Sequence, residues 1–81
     1  MILCFVFAMP AEAEHLLKNA DVLEESCLGY SRLLRISFHG KEAFVCVTGM
    51  GKVLAGAAIA AAAIAHPEIE AFVNLGMERN P

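Results

Sequence analysis

The stretch "FVCVTGMGKVLAGAAIAAAAIAHP", residues 44–67, joins an apolar run, a glycine-framed turn and a long alanine-rich run closed by proline. The first run is short and continuously apolar, as a strand buried on both faces must be. After Gly51 the apolar run, at about 15 residues, is too long for one strand and rich in alanine, so helix wins. His66-Pro67 stops that helix. The junction at Thr48 to Gly51 therefore passes from strand to helix, which sets an α/β class.

Two nucleotide-binding labels for the junction fail. A P-loop needs glycine five positions before Gly51 and Ser or Thr after Lys52, where Cys46 and Val53 stand. A dinucleotide fingerprint needs a third glycine where Leu54 stands. What remains is Gly49 and Gly51 framing Met50 at a helix start, where glycine permits positive φ and free N–H groups can meet a ligand. A tight strand-to-helix turn favours glycine even without a ligand, so both readings stay open here.

Working outward, Ile2 to Phe7 reads as another strand buried on both faces. Pro10 suits the first turn of a helix that Ala11 to Lys18 continue, with Leu16 and Leu17 on its apolar side. "VLEESCLG", ending at Gly29, and "YSRLLRISF", residues 30–38, read as strands, with Arg32 and Arg35 breaking the alternation of the second. "HG" at 39–40 makes a tight hairpin into "KEAFVCVTG", and "IEAFVNLG" forms one more buried strand. The order is β-α-β-β-β-α-β: a mixed twisted sheet with flanking helices, one partial α/β domain over residues 1–81. Ligands in open α/β sheets sit beyond the carboxyl ends of strands. Three such ends are available here: Ala8-Met9, Thr48 to Gly51 and Asn74 to Gly76.

Apolar residues make up 58% of the chain, above the roughly 45–50% of soluble domains. Such a surplus calls for faces covered by further chain or by a second copy. With net charge -3 and six scattered basic residues, no nucleic-acid footprint forms. Cys4, Cys27 and Cys46 are odd in number and form no Cys-x-x-Cys pair, so they read as three buried thiols in a reducing cytoplasm, with no metal or cofactor implied. No Lys or Arg precedes the apolar opening, as a secretory signal would need. Val53 to Ala65 reaches roughly 20 Å as a helix, short of a ~30 Å membrane core. A soluble, cytoplasmic protein is expected.

Taken singly, the candidate site residues have modest explanations. Glu12 in a first helical turn complements the macrodipole. Glu14 points some 200° away from it, so the two form no catalytic pair. His15, His39 and His66 suit solvated or turn positions, and Met9 and Met50 suit core gaps.

In combination, "AMPAEAEHLL", "VTGMGKVLAGAAIA" and "FVNLG" in this order resemble the N-terminal third of the nucleoside phosphorylase superfamily. The likeness is closest to its methylthioadenosine/S-adenosylhomocysteine nucleosidase branch, and futalosine hydrolases and hopanoid-associated phosphorylases share the same pieces. The resemblance implies a partial nucleoside phosphorylase-like fold and a purine nucleoside as partner, with no cofactor. It implies that Glu12 orients and deprotonates the attacking water and contacts ribose hydroxyls. Met9 and Met50 then wall the ribose and alkylthio region, Ala8 lines the base side, and Gly49, Gly76 and Met77 complete the substrate-binding set. After "NLG" this chain has "MERNP", where the family continues with small residues. The family's general-acid aspartate, aromatic clamp and ribose-binding Met-Glu pair lie later and have no counterpart here. The expectation is half an active site, inactive alone, in a chain that self-associates or joins the remainder of the fold.

Overall fold

Strand β1 (Ile2–Phe7) is the axis of a five-stranded mixed sheet, and the other strands are placed by how they pair with it. The computed structural model describes residues 1–29, 31–49 and 52–75, of which 52–55 by backbone alone. After β1 come α1 (Pro10–Leu17), β2 (Asp21–Leu28), β3 (Ser31–Phe38), β4 (Lys41–Val47), α2 (Lys52–Ala65) and β5 (Ile69–Asn74). The strand order is β2-β3-β4-β1-β5. β1 runs parallel to β4, with Cys4 beside Phe44 and Phe7 beside Val47, and parallel to β5 on its other side. The β2-β3-β4 portion is an antiparallel meander. The element order, the mixed sheet and the flanking helices are those read from the sequence.

The hairpin between β3 and β4 turns on His39 and Gly40, both at positive φ (51° and 79°). Two successive left-handed residues match the twist of the strands they join. Alternation then sorts the core. On one face Cys4, Val6, Leu33, Phe44 and Cys46 pack with Ala58 and Ala62 of α2. These alanines lie one turn apart, and their small side chains let the helix backbone approach the sheet. On the other face Phe7, Leu34, Ile36, Val45 and Val47 pack with Ala13, Leu16 and Leu17.

Coverage of that second face is incomplete. Helix α1 has eight residues, so it reaches about 12 Å along strands that run roughly 20 Å. Leu3 and Phe5 are consequently half-buried rather than sealed, which corrects the expectation that β1 is enclosed on both faces throughout. Past the end of α1 lies an open groove of ≈ 370 Å³ lined by Leu3, Phe5, Leu16, Ile36, Phe38 and Ala43 among others.

Strand β2 is an edge, exposed along nearly its whole length. Its acids meet the arginines that break the pattern of β3. Arg32 Nε donates to Glu25 at 2.7 Å, and Arg35 lies 3.8 Å from Glu24 and 3.0 Å from Glu42. Arg35 also sits 5.7 Å from the centroid of the Phe44 ring and shields that side of the core. These solvated pairs fix side-chain positions more than they stabilise. The same edge overturns one expectation: Cys27 is exposed, whereas Cys4 and Cys46 are buried. It pairs with Arg32 on a strand that no helix covers on that side. No helix among the described residues is long and apolar enough to cross a membrane.

Candidate functional site

Because β1, β4 and β5 are parallel neighbours, their carboxyl ends share one rim of the sheet. Each loop tip is anchored just before it leaves the sheet. The N–H of Thr48 donates to the carbonyl of Phe7 at 2.9 Å, and that of Leu75 donates to Val6 at 2.9 Å. Ala8-Met9, Thr48-Gly49 and Asn74-Leu75 therefore stand side by side, as the pattern of strand ends implied. Among the described residues no group of three His, Cys, Asp or Glu side chains gathers as a metal site.

Helix α1 begins at this rim. Met9 is extended (φ -121°, ψ 142°) and Pro10 opens the helix at a position where a missing N–H costs nothing. A thioether cannot cap a helix, so the cap is built from the other side. Glu12 Oε1 accepts the N–H of Met9 at 3.2 Å, and the N–H of Glu12 donates to the Met9 carbonyl at 3.2 Å. The carboxylate is thus folded back towards the end of β1, while Ala13 behind it is fully buried and fixes the helix on the sheet. The second oxygen, Oε2, has no partner among the described residues and can accept a proton or a hydroxyl donor. Met9 is 43% exposed, so it fills no core gap. That singly drawn expectation fails because the residue caps the helix outside the sheet layer.

At the neighbouring tip Gly49 has φ +83°, and a Cβ added there would meet nothing within 4 Å. Backbone conformation, not crowding, is what requires glycine. Beneath it lie two buried hydroxyl residues that sequence reasoning left without a role. Thr48 is 1% exposed; its Oγ1 donates to the Gly49 carbonyl at 3.1 Å and lies 3.4 Å from the Phe7 carbonyl. Ser31, 3% exposed, donates from Oγ to the Thr48 carbonyl at 3.1 Å. The signal available was topological: β3 runs antiparallel to β4, so its first residue must return to the rim that β4 leaves.

Of the residues singled out, Ala8, Met9, Glu12 and Gly49 lie on two adjacent tips, while Met50, Gly76 and Met77 lie outside the described residues. The two buried thiols stand in the sheet below the rim and are unsuited to nucleophilic work. Burial, with Cys46 nearby as a lesser cause, pushes the Cys4 thiol up to about 12, and burial raises Cys46 as well.

The family described as phosphorylase superfamily matches residues 2–77 of this chain. No curated protein matches it. Among solved structures, it resembles the 5'-methylthioadenosine/S-adenosylhomocysteine nucleosidase of Neisseria meningitidis in complex with methylthio-immucillin-A. That likeness has a TM-score of 0.81 at 22% identity and covers 90% of this chain and 31% of that one. The corresponding nucleosidase of Helicobacter pylori, bound to butyl-thio-DADMe-Immucillin-A, gives 0.79 at 22% identity over 91% and 32%. The futalosine hydrolase of Helicobacter pylori gives 0.77 at 22% identity over the same shares. The chain spans about a third of the length of these structures, and at such identities the likeness establishes the fold.

Proposed function

The chain belongs to the phosphorylase superfamily, and from that membership we propose that it forms the N-terminal part of a purine nucleosidase. The reaction is hydrolysis of the N-glycosidic bond of methylthioadenosine- or adenosylhomocysteine-type nucleosides, in the cytoplasm. The observation that carries this reading is the Glu12 carboxylate, turned back by the Met9 N–H beside the joined ends of β1 and β4. Cleavage of an N-glycosidic bond passes through an oxocarbenium-like state. A carboxylate next to it both stabilises the growing positive charge and takes a proton from the attacking water. The Glu12 Oε2, without a partner among the described residues, would take that proton. Ala8, Met9 and Gly49, with Met50, Gly76 and Met77, form the wall against base, ribose and 5′ substituent.

Protonation of the departing purine belongs to residues beyond this third of the fold. Residues 1–81 alone are expected to show negligible turnover, since a missing general acid forfeits roughly 10²–10⁴-fold. The partner is either that remainder or a second copy of the chain. Phosphorolysis is the alternative chemistry, with Lys52, Arg32 or Arg35 as the groups that would meet phosphate. Arg32 and Arg35 are engaged by Glu25 and by Glu24 and Glu42, and the Lys52 side chain lies outside the described residues. The test is chromatographic detection of free adenine from methylthioadenosine, with and without phosphate, using these residues joined to the remaining two-thirds of the fold. Release without phosphate, abolished by Glu12→Gln, is the expected result. No release from the complete protein, or release that requires phosphate, overturns it.

A further inference from the structure

The buried hydroxyls of Thr48 and Ser31 support an inference about how the two loop tips are held in register. We propose that Thr48 is a positioning residue, which Ser31 holds from β3 and which sets the Gly49 turn against the head of α1. That these tips form one site rests on the nucleosidase reading; that Thr48 links them rests on geometry.

Three elements meet at this residue. Its N–H holds the last carbonyl of β1 at 2.9 Å, and Met9 follows that carbonyl two residues later. Its hydroxyl reaches the Gly49 carbonyl at 3.1 Å, across the bond where the chain enters its left-handed turn. Its own carbonyl is held by Ser31 from the start of β3. A hydroxyl at 1% exposure finds no bulk water to satisfy it, so its proton must go to one of the two carbonyls within reach. Given to Gly49, at the shorter distance, it braces the turn on the β1–β4 seam; given to Phe7, it adds to the bond that the Thr48 N–H already makes across that seam. A valine would fill the same space without that tie. It would leave the Phe7 carbonyl its bond from the Thr48 N–H, and the carbonyl that loses its donor, that of Gly49, belongs to a part-buried residue. Thr48→Val should therefore fold and lose position specifically.

The experiment uses amide NMR spectra of the chain with Thr48→Val, Thr48→Ser and Ser31→Ala. Thr48→Val is expected to displace the amide resonances of Met9 and Glu12, which do not touch the hydroxyl. It should also speed exchange at the Met9 N–H by roughly threefold to tenfold, the range for one lost hydrogen bond. Thr48→Ser, which keeps the donor, should restore both, and Ser31→Ala should displace the same resonances in the same direction. Changes confined to Ser31 and residues 47–49 would mean a purely local role and overturn the proposal. If Thr48→Val fails to fold, the Ser31→Ala and Thr48→Ser pair decides by the same criterion. A parallel titration with adenine, on these residues joined to the remaining two-thirds of the fold, separates the two ideas. Silence at Met9 and Gly49 tells against the nucleoside reading, while the displacement by Thr48→Val still measures the positioning role.

Discussion

Gly49 shows how one backbone angle places a candidate site. At φ +83° with open space around its α-carbon, it is held in a region where a side chain costs about 1–2 kcal/mol. Gly49→Ala is expected to lower unfolding free energy by about that amount in a urea titration; a change under a few tenths would show that the turn relaxes at no cost. The cysteines give a second residue-scale test, in alkali. Cys4 titrates at about 12 in the fold against 9.0 when unperturbed. A thiol raised in this way stays protonated in the fold after the unfolded chain has begun to ionise. Its contribution is intact below pH 9 and falls as pH climbs from there towards 12, by roughly 1.4 kcal/mol per unit for one thiol. Cys4→Ala should flatten this alkaline decline, measured by denaturant unfolding across that range. In the same protein Cys27, exposed on β2, should react with a thiol reagent in the native state, leaving the other two until the chain unfolds.

Helix α1 carries in one side chain a cap and the proposed catalytic carboxylate, and substitution can separate them. Glu12→Gln keeps an oxygen for the Met9 N–H but loses the charge and the proposed base. Glu12→Ala loses all three. The alanine variant should be destabilised by about 0.5–1 kcal/mol, as lost caps generally are, and the glutamine variant by only a few tenths from the helix dipole. Thermal melting reads the difference, and equal losses in both would mean that the bond to Met9 contributes nothing. Elements of this kind were legible in the sequence. Pro10, the alanine-rich run, "HG" at 39–40 and His66-Pro67 are local signals, and every strand and helix stands where they indicate. Partner choice was less legible. That β1 lies between β4 and β5 follows from pairings between residues some forty and seventy positions apart, which no local pattern encodes. The exposure of Cys27, Leu3 and Phe5 was hidden for a related reason. Burial depends on what lies over a residue: Cys27 alternates with Leu28, which packs on the α2 side, and so faces the uncovered side of β2, while α1 is one or two turns too short. In the site, Glu12 and Gly49 were visible through their types. Ser31 and Thr48 were not, because a hydroxyl at a strand end reads as an ordinary β-former until the strands are paired.

At the scale of the whole molecule the open question is what covers the apolar surface. Leu23 is 53% exposed on the edge strand and Ile64 is 81% exposed on α2. The groove beyond α1 adds Leu3, Phe5 and Phe38 on the opposite face. With 58% apolar residues in a chain of 81, this is more unpartnered surface than an isolated domain of its size tolerates well. The charges on β2 guard one flank, since Asp21, Glu24 and Glu25 disfavour pairing between two like edges. Association should therefore run through α2 or the groove and not through that edge. Sedimentation over a concentration series is expected to show the chain moving to dimers or larger species at micromolar levels. Ile64→Lys should shift that transition to higher concentration, whereas Leu23→Lys, on the guarded edge, should leave it in place. The reverse ranking would place the contact on β2. A wild-type chain that stays monomeric and cooperatively folded throughout would show that the sheet and its two helices suffice alone, with the exposed leucine and isoleucine simply solvated.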